Sequence, residues 1–170
     1  MKKFMDWLTN SFAPKAAELF NRPWIAGISS AMQKVIPFIL TGSVIFFYNV
    51  FKDYISFLPD LGPILTYSFG LLTLLITFMI TNQLMEKLGH PDYTINAGLV
   101  SIGVLLMVVN PVGEQADSVN VLMGNLGPSG MSVGIVVALF VAIIFNLWGK
   151  LKFLEDSSVP DFMVGWVNNI

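Results

Sequence analysis

Few residues in this chain have the type and spacing to do chemistry. The single histidine, His90, sits in Leu88-Gly89-His90-Pro91-Asp92. A histidine can carry a phosphoryl group or switch charge with pH, but here no acid or base is spaced to orient it. Glycine before it and proline after it mark a tight turn, so a solvated loop histidine is expected. There is no cysteine, which removes thiol nucleophiles, disulfides and Cys-bound zinc. One histidine with scattered carboxylates does not make a metal site, so no metal and no cofactor are expected. Gly127-Pro128-Ser129-Gly130 lacks the preceding strand that a phosphate loop needs; it reads as a loop and helix start, with Ser129 as the cap.

Two patterns of small and hydroxylic residues remain. Thr66, Gly70, Thr73, Thr77 and Thr81 share one face of an apolar stretch at 64–84. Gly134, Ala138 and Ala142 repeat every four residues in another stretch, at 131–148. Such stripes let helices approach closely in lipid, with hydroxyls bonding across the contact or back to their own carbonyls. The alternative for the threonine stripe is the lining of a polar path. Packing is the favoured reading of both patterns, which makes these eight positions helix contacts and leaves no catalytic or substrate-binding residue.

The elements that carry these residues follow from composition. The chain of 170 residues is 55% hydrophobic and 12% charged, against about 25% charge in a soluble domain. The fold class expected is all-α: a polytopic membrane helix bundle. Spans are predicted at 35–51, with an alternative entry from Ile25, and at 64–84, 93–109 and 131–148, and a further apolar segment begins at 161–170. Spans two, three and four, so bounded, hold no charged residue, which leaves no proton relay or carboxylate pair inside them. Lys34 lies at the edge of the first span and is expected to reach water along its own stem. Residues 1–23 form an amphipathic segment, with Met1, Phe4, Met5, Leu8 and Phe12 on one face, that suits the membrane interface. No cleavable signal peptide is expected. A net charge of −2 gives no footprint for nucleic acid. Lys2, Lys3, Lys15, Arg22, Lys87, Lys150 and Lys152 fall on one side of the spans and Lys52 alone on the other, so the N-terminus is expected in the cytoplasm.

Certain runs resemble a known family. They are Phe12-Ala13-Pro14-Lys15-Ala16-Ala17, Ile36-Pro37 followed by Gly42-Ser43, Leu126-Gly127-Pro128-Ser129-Gly130-Met131, and Ser158-Val159-Pro160-Asp161-Phe162. In order and spacing they resemble the N-terminal half of the lactose/cellobiose family of enzyme IIC sugar permeases, the membrane components of the bacterial phosphoenolpyruvate-dependent phosphotransferase system. Many members carry Arg-Asp-Gly where this chain has Ser29-Ser30-Ala31, and a second proline where it has Asp161. The sugar is therefore left open.

The resemblance implies a multi-pass protein of the bacterial inner membrane, a homodimer, and cytoplasmic IIB and IIA partner subunits. It also implies that 24–170 is the scaffold and dimer-contact domain, and that the family's sugar-contacting histidine and glutamate lie in a second half that this sequence does not match. The chain is thus expected to be a truncated form, non-catalytic by itself. The rival readings are a stand-alone structural or regulatory membrane protein and a pore-forming oligomer.

Overall fold

A computed structural model describes residues 2–52, 54–55, 57–109 and 123–150. Among them every regular element is helical. Helix α1 (Lys2–Trp7) passes through a π-helical turn (Leu8–Phe12) into α2 (Ala13–Phe20). Pro14 does not break the segment; it occupies the first turn of α2, where its missing N–H costs nothing. The long α3 (Pro23–Lys52) is followed by α4 (Gly62–Phe69), α5 (Leu72–Lys87), α6 (Thr94–Val109) and α7 (Met131–Trp148). Four of these stretches, with α4 and α5 taken together, are long and apolar enough to cross a membrane. The apolar segment expected at 161–170 lies outside the described residues.

The predicted spans were accurate where an ion-free apolar run ends sharply and less so elsewhere. Residues 131–148 coincide with α7. The first span takes the longer of its two readings, since α3 already begins at Pro23, just before Ile25. The second is not continuous: α4 stops at Phe69, and α5 starts after Gly70 and Leu71.

Helix α5 is the hub. It packs against α3 on one side and α6 and α7 on the other. Ile76, Ile80 and Leu84 are fully buried there, and Ala31, Ala97, Ala138 and Ala142 join them from the three neighbours. A second cluster, Leu105 with Val137 and Val141, joins α6 to α7. Small residues set the spacing. A Cβ on Gly27 would lie 2.7 Å from Leu84 Cδ2, and one on Gly98 2.6 Å from the Phe78 ring. Gly42 lies as closely on the Phe69 ring. Helices α3 and α5 thus run antiparallel, with Gly27 opposite Leu84 and Gly42 close to Phe69 at the other end.

Outside these contacts the helices are bare. Only 11% of the most apolar window of α3 is buried within the protein. Val44, Phe46, Phe47, Met107 and Val136 are exposed, as a lipid solvent allows and water does not. Helix α5 ends in a Schellman motif, in which Gly89 takes φ +85°, His90 N–H donates to Met85 O (2.9 Å), and Gly89 N–H donates to Glu86 O (3.3 Å). This turn sends the chain back up as α6.

Two glycines on lipid-crossing helices should respond oppositely to enlargement. Gly134→Leu forces a side chain into Thr73 and Thr77 and is expected to cost about 1–3 kcal/mol or more. Nothing lies within 4 Å of a Cβ on Gly103, so Gly103→Ala is expected to be neutral or to stabilise by about 0.4–1 kcal/mol. Unfolding in detergent micelles, followed by circular dichroism, measures both.

Candidate functional site

The threonine stripe and the glycine–alanine seam meet each other. Thr73, Thr77 and Thr81 are fully buried on α5. A Cβ on Gly134 of α7 would lie 2.5 Å from Thr77 Oγ1 and 2.8 Å from Thr73 Cγ2. Ala138 and Ala142, on the same face of α7, are fully buried. The hydroxyls are committed to backbone carbonyls: Thr77 donates to Thr73 O (2.7 Å), Thr81 to Thr77 O (3.0 Å), and Thr73 to Gly127 O (2.6 Å). Ser101 of α6 donates to Gly98 O (2.6 Å) beside them. Buried hydroxyls spent in this way have no donor left for a solute, so this face packs and does not line a path.

Thr66 and Gly70 do not belong to that contact. Thr66 is exposed and donates to Gly62 O in its own helix. Gly70 marks the interruption between α4 and α5. The interruption has a partner from elsewhere in the chain: Thr73 N–H donates to Leu126 O (2.8 Å), not to Phe69 O one turn back. Leu74 N–H turns to Leu71 O (3.1 Å). The segment Leu126–Gly130 therefore docks onto the start of α5, with Leu126 buried and the Gly127 backbone close to Phe69 and Gly70. The carbonyls of Phe69 and Gly70 have lost their helical donors at this level. Irregular backbone in a membrane is tolerated only where protein or a cavity surrounds it.

A cavity does adjoin the break. It measures about 640 Å³ and is lined by Gly42, Ser43 and Phe46 of α3, Thr66 and Phe69 of α4, and Gly127. Phe46, Phe47 and Phe69 stand in its wall among Gly42, Gly70, Gly124 and Gly127. The hydroxyls of Ser43 and Thr66 donate to their own helices and can still accept. Periodicity could not have revealed this site, because it is made by a loop meeting a helix more than fifty residues away in the chain.

Ser129 donates to Gly124 O and does not cap α7, whose cap position is Gly130. His90 is half-buried. Its ring lies 2.9 Å from where a Cβ on Gly149 would stand, and edge-on to Tyr93, which in turn meets Phe145. The histidine thus seats the α5–α6 turn on the end of α7.

Lys34 reaches back along its stem towards the end of the bundle, where its Nζ lies 3.8 Å from Glu86 Oε2, which also accepts from Gln83 Nε2 (2.9 Å). Glu86 falls just past the expected end of the second span at 84, but α5 runs on to Lys87 and includes it. Helical side chains lean towards their own N-terminus. In antiparallel α3 and α5 that tilt brings these two charges together.

At the opposite end of the bundle, Asp60 accepts from Gly62 N–H (2.9 Å) and lies 3.1 Å from Lys52 Nζ. The backbone hydrogen bond first, and the lysine second, hold its carboxyl below the usual carboxylate range. Among the described residues no group of histidine or carboxylates could hold a metal ion.

No family model, curated protein or solved structure matches this chain.

Thr73→Val keeps the shape but removes the hydroxyl donor to Gly127 O, which retains Gly130 N–H (3.0 Å), and is expected to destabilise by about 0.5–1.5 kcal/mol in the same unfolding assay. Since the folded carboxyl of Asp60 is depressed, its link to Gly62 and Lys52 persists above the ordinary carboxylate range and is lost only as pH falls through the lowered value. Carboxyl NMR titration should give a midpoint below that range. Lys52→Ala should raise the midpoint only part of the way, because the Gly62 bond remains.

Proposed function

We propose that this chain is the scaffold half of a membrane sugar permease of the lactose/cellobiose enzyme IIC type, taking part in uptake coupled to phosphorylation. The observation that carries the reading is the closed α5–α7 contact. The most conspicuous polar stripe in the spans is sealed against small residues, which makes a rigid support and not a conduit. The order of punctuated motifs along the chain, from Ile36-Pro37 to Ser158-Val159-Pro160, supplies the family.

In this reading the protein is multi-pass in a bacterial inner membrane. The basic residues near Arg22, Lys87 and Lys150 lie in the cytoplasm, where IIB and IIA subunits would approach the complete system. The N-terminal segment lies along the interface. Its exposed Phe4, Trp7 and Phe12 stack in sequence and offer an apolar face to the acyl chains. Two copies pair through lipid-facing helices. The scaffold positions the sugar site, which other residues complete. A pore is the weaker reading, because Thr73, Thr77 and Thr81 are buried within one chain.

Cells expressing residues 1–170 alone should neither take up nor phosphorylate cellobiose or lactose; measured uptake would overturn the scaffold role. Expressed beside a complete permease of this type, the chain should lower sugar uptake by forming mixed dimers. Single cysteines on α7 should crosslink the two. Unchanged uptake without crosslinking would count against the family.

A further inference from the structure

The cavity beside the α4–α5 junction has a one-sided chemistry. Gly42, Ser43, Phe46, Thr66, Phe69 and Gly127 line it, and none of its lining residues is charged. Its hydroxyls have spent their protons. Ser43 donates to Ile39 O (2.9 Å) and Thr66 to Gly62 O (3.1 Å), so both are left to accept. The carbonyl oxygens of Phe69 and Gly70, which lost their helical donors at the break, stand 3.7 Å from the place of a Cβ on Gly127. One turn along α3 from Phe46, Asn49 buries its Oδ1 without a donor. Acceptors thus exceed donors in this corner of the bundle, and a buried acceptor left without a donor is costly.

The cavity also has a definite place in the spans. Gly42 lies about 15 Å along α3 from Lys52, given the rise of an α-helix. Lys52 pairs with Asp60 at that end of the bundle, and these charges mark the level of water. Phe46, Phe47 and Thr66, all in the cavity wall, are exposed on the flank of the helices. The cavity therefore opens sideways, onto the surface that faces acyl chains. Its volume of about 640 Å³ falls within the range of small-molecule sites. An ion there would have no counter-charge, and a phospholipid holds its charged head nearer the surface.

We infer that this cavity binds a membrane lipid whose head is an uncharged hydroxyl, of the diacylglycerol kind. The hydroxyl donates to the acceptors at the junction. The glycerol backbone and first methylenes lie against Phe46, Phe47 and Phe69, and the chains leave through the open side. A neutral head reaches this depth at little cost, and it supplies the donor that a choline head or a fully esterified glycerol lacks. The inference requires that the chain lie in a bilayer and requires nothing of the permease reading.

The test uses the whole chain in phosphatidylcholine liposomes with a trace of diacylglycerol carrying a photoactivatable diazirine near its glycerol. Labelled peptides are mapped by mass spectrometry. The label should concentrate on residues 42–47 and 65–70. Unlabelled dioleoylglycerol should displace it. The acetyl ester of dioleoylglycerol, which has lost only the hydroxyl donor, should displace it about two- to tenfold less well, as the loss of one hydrogen bond implies. Gly124 lines the cavity, and a Cβ there meets nothing within 4 Å. Gly124→Leu should therefore fill the space, leave the melting curve by circular dichroism unchanged, and remove the concentrated label. Thr66→Val takes away one acceptor at constant shape and should weaken labelling by a factor like that of the ester. It serves as the second variant if Gly124→Leu does not fold. Label spread evenly over the lipid-facing helices, equal displacement by the ester, or undiminished label in folded Gly124→Leu would overturn the inference. So would displacement by glycerol added to the water, which would make the occupant a soluble polyol. No transport is measured, so the permease reading can fail without altering the result.

Discussion

Lipid offers no hydrogen bonds, and most of this structure follows from that. Each donor in a span must find its acceptor within the protein. The threonines of α5 meet the demand by donating to carbonyls of their own helix and of the docked Gly127. Once they are satisfied, the helix can be approached closely, and Gly134 allows α7 to do so. Alanines on α3, α6 and α7 complete the fit around α5. Packing in lipid gains little from apolar burial, so close approach and dispersion must supply the cohesion. Residues without side-chain bulk therefore carry more of this fold than leucines do.

The break between α4 and α5 shows the same constraint from the other side. Interrupting a helix in a membrane frees backbone groups. Here Leu126 O replaces the acceptor that Thr73 N–H would have had, and Thr73 Oγ1 secures the next carbonyl. One threonine thus fixes the loop through both its main chain and its side chain. The cavity beside it lies between α3, α4 and the segment that carries Gly124, Gly127 and Pro128.

These features were unequally legible in the sequence. The bounds of α7 could be read, because its apolar run is uninterrupted and ends where glycine and charge begin. The packing role of Thr73, Thr77, Thr81 and the Gly134 seam followed from helical periodicity. Thr66 and Gly70 share that periodicity, yet the interruption places them outside the contact. Its cause, Leu126, is remote in sequence. Likewise, Lys34 and Glu86 each sat at the margin of an expected span. Only the antiparallel crossing at Gly27 and Leu84 brings them together, at the His90 end of the bundle. Composition showed that charge was rare; three-dimensional register showed where the rare charges meet.

The account stands on α5 being a sealed core and not the wall of a pore. Solvent access at Thr77 tests this most directly. Thr77→Cys, in the otherwise cysteine-free chain in liposomes, should resist water-soluble thiol reagents from both sides, while Phe57→Cys, at a position 93% exposed, reacts readily. Labelling of position 77 at a rate approaching that of position 57 would contradict the account.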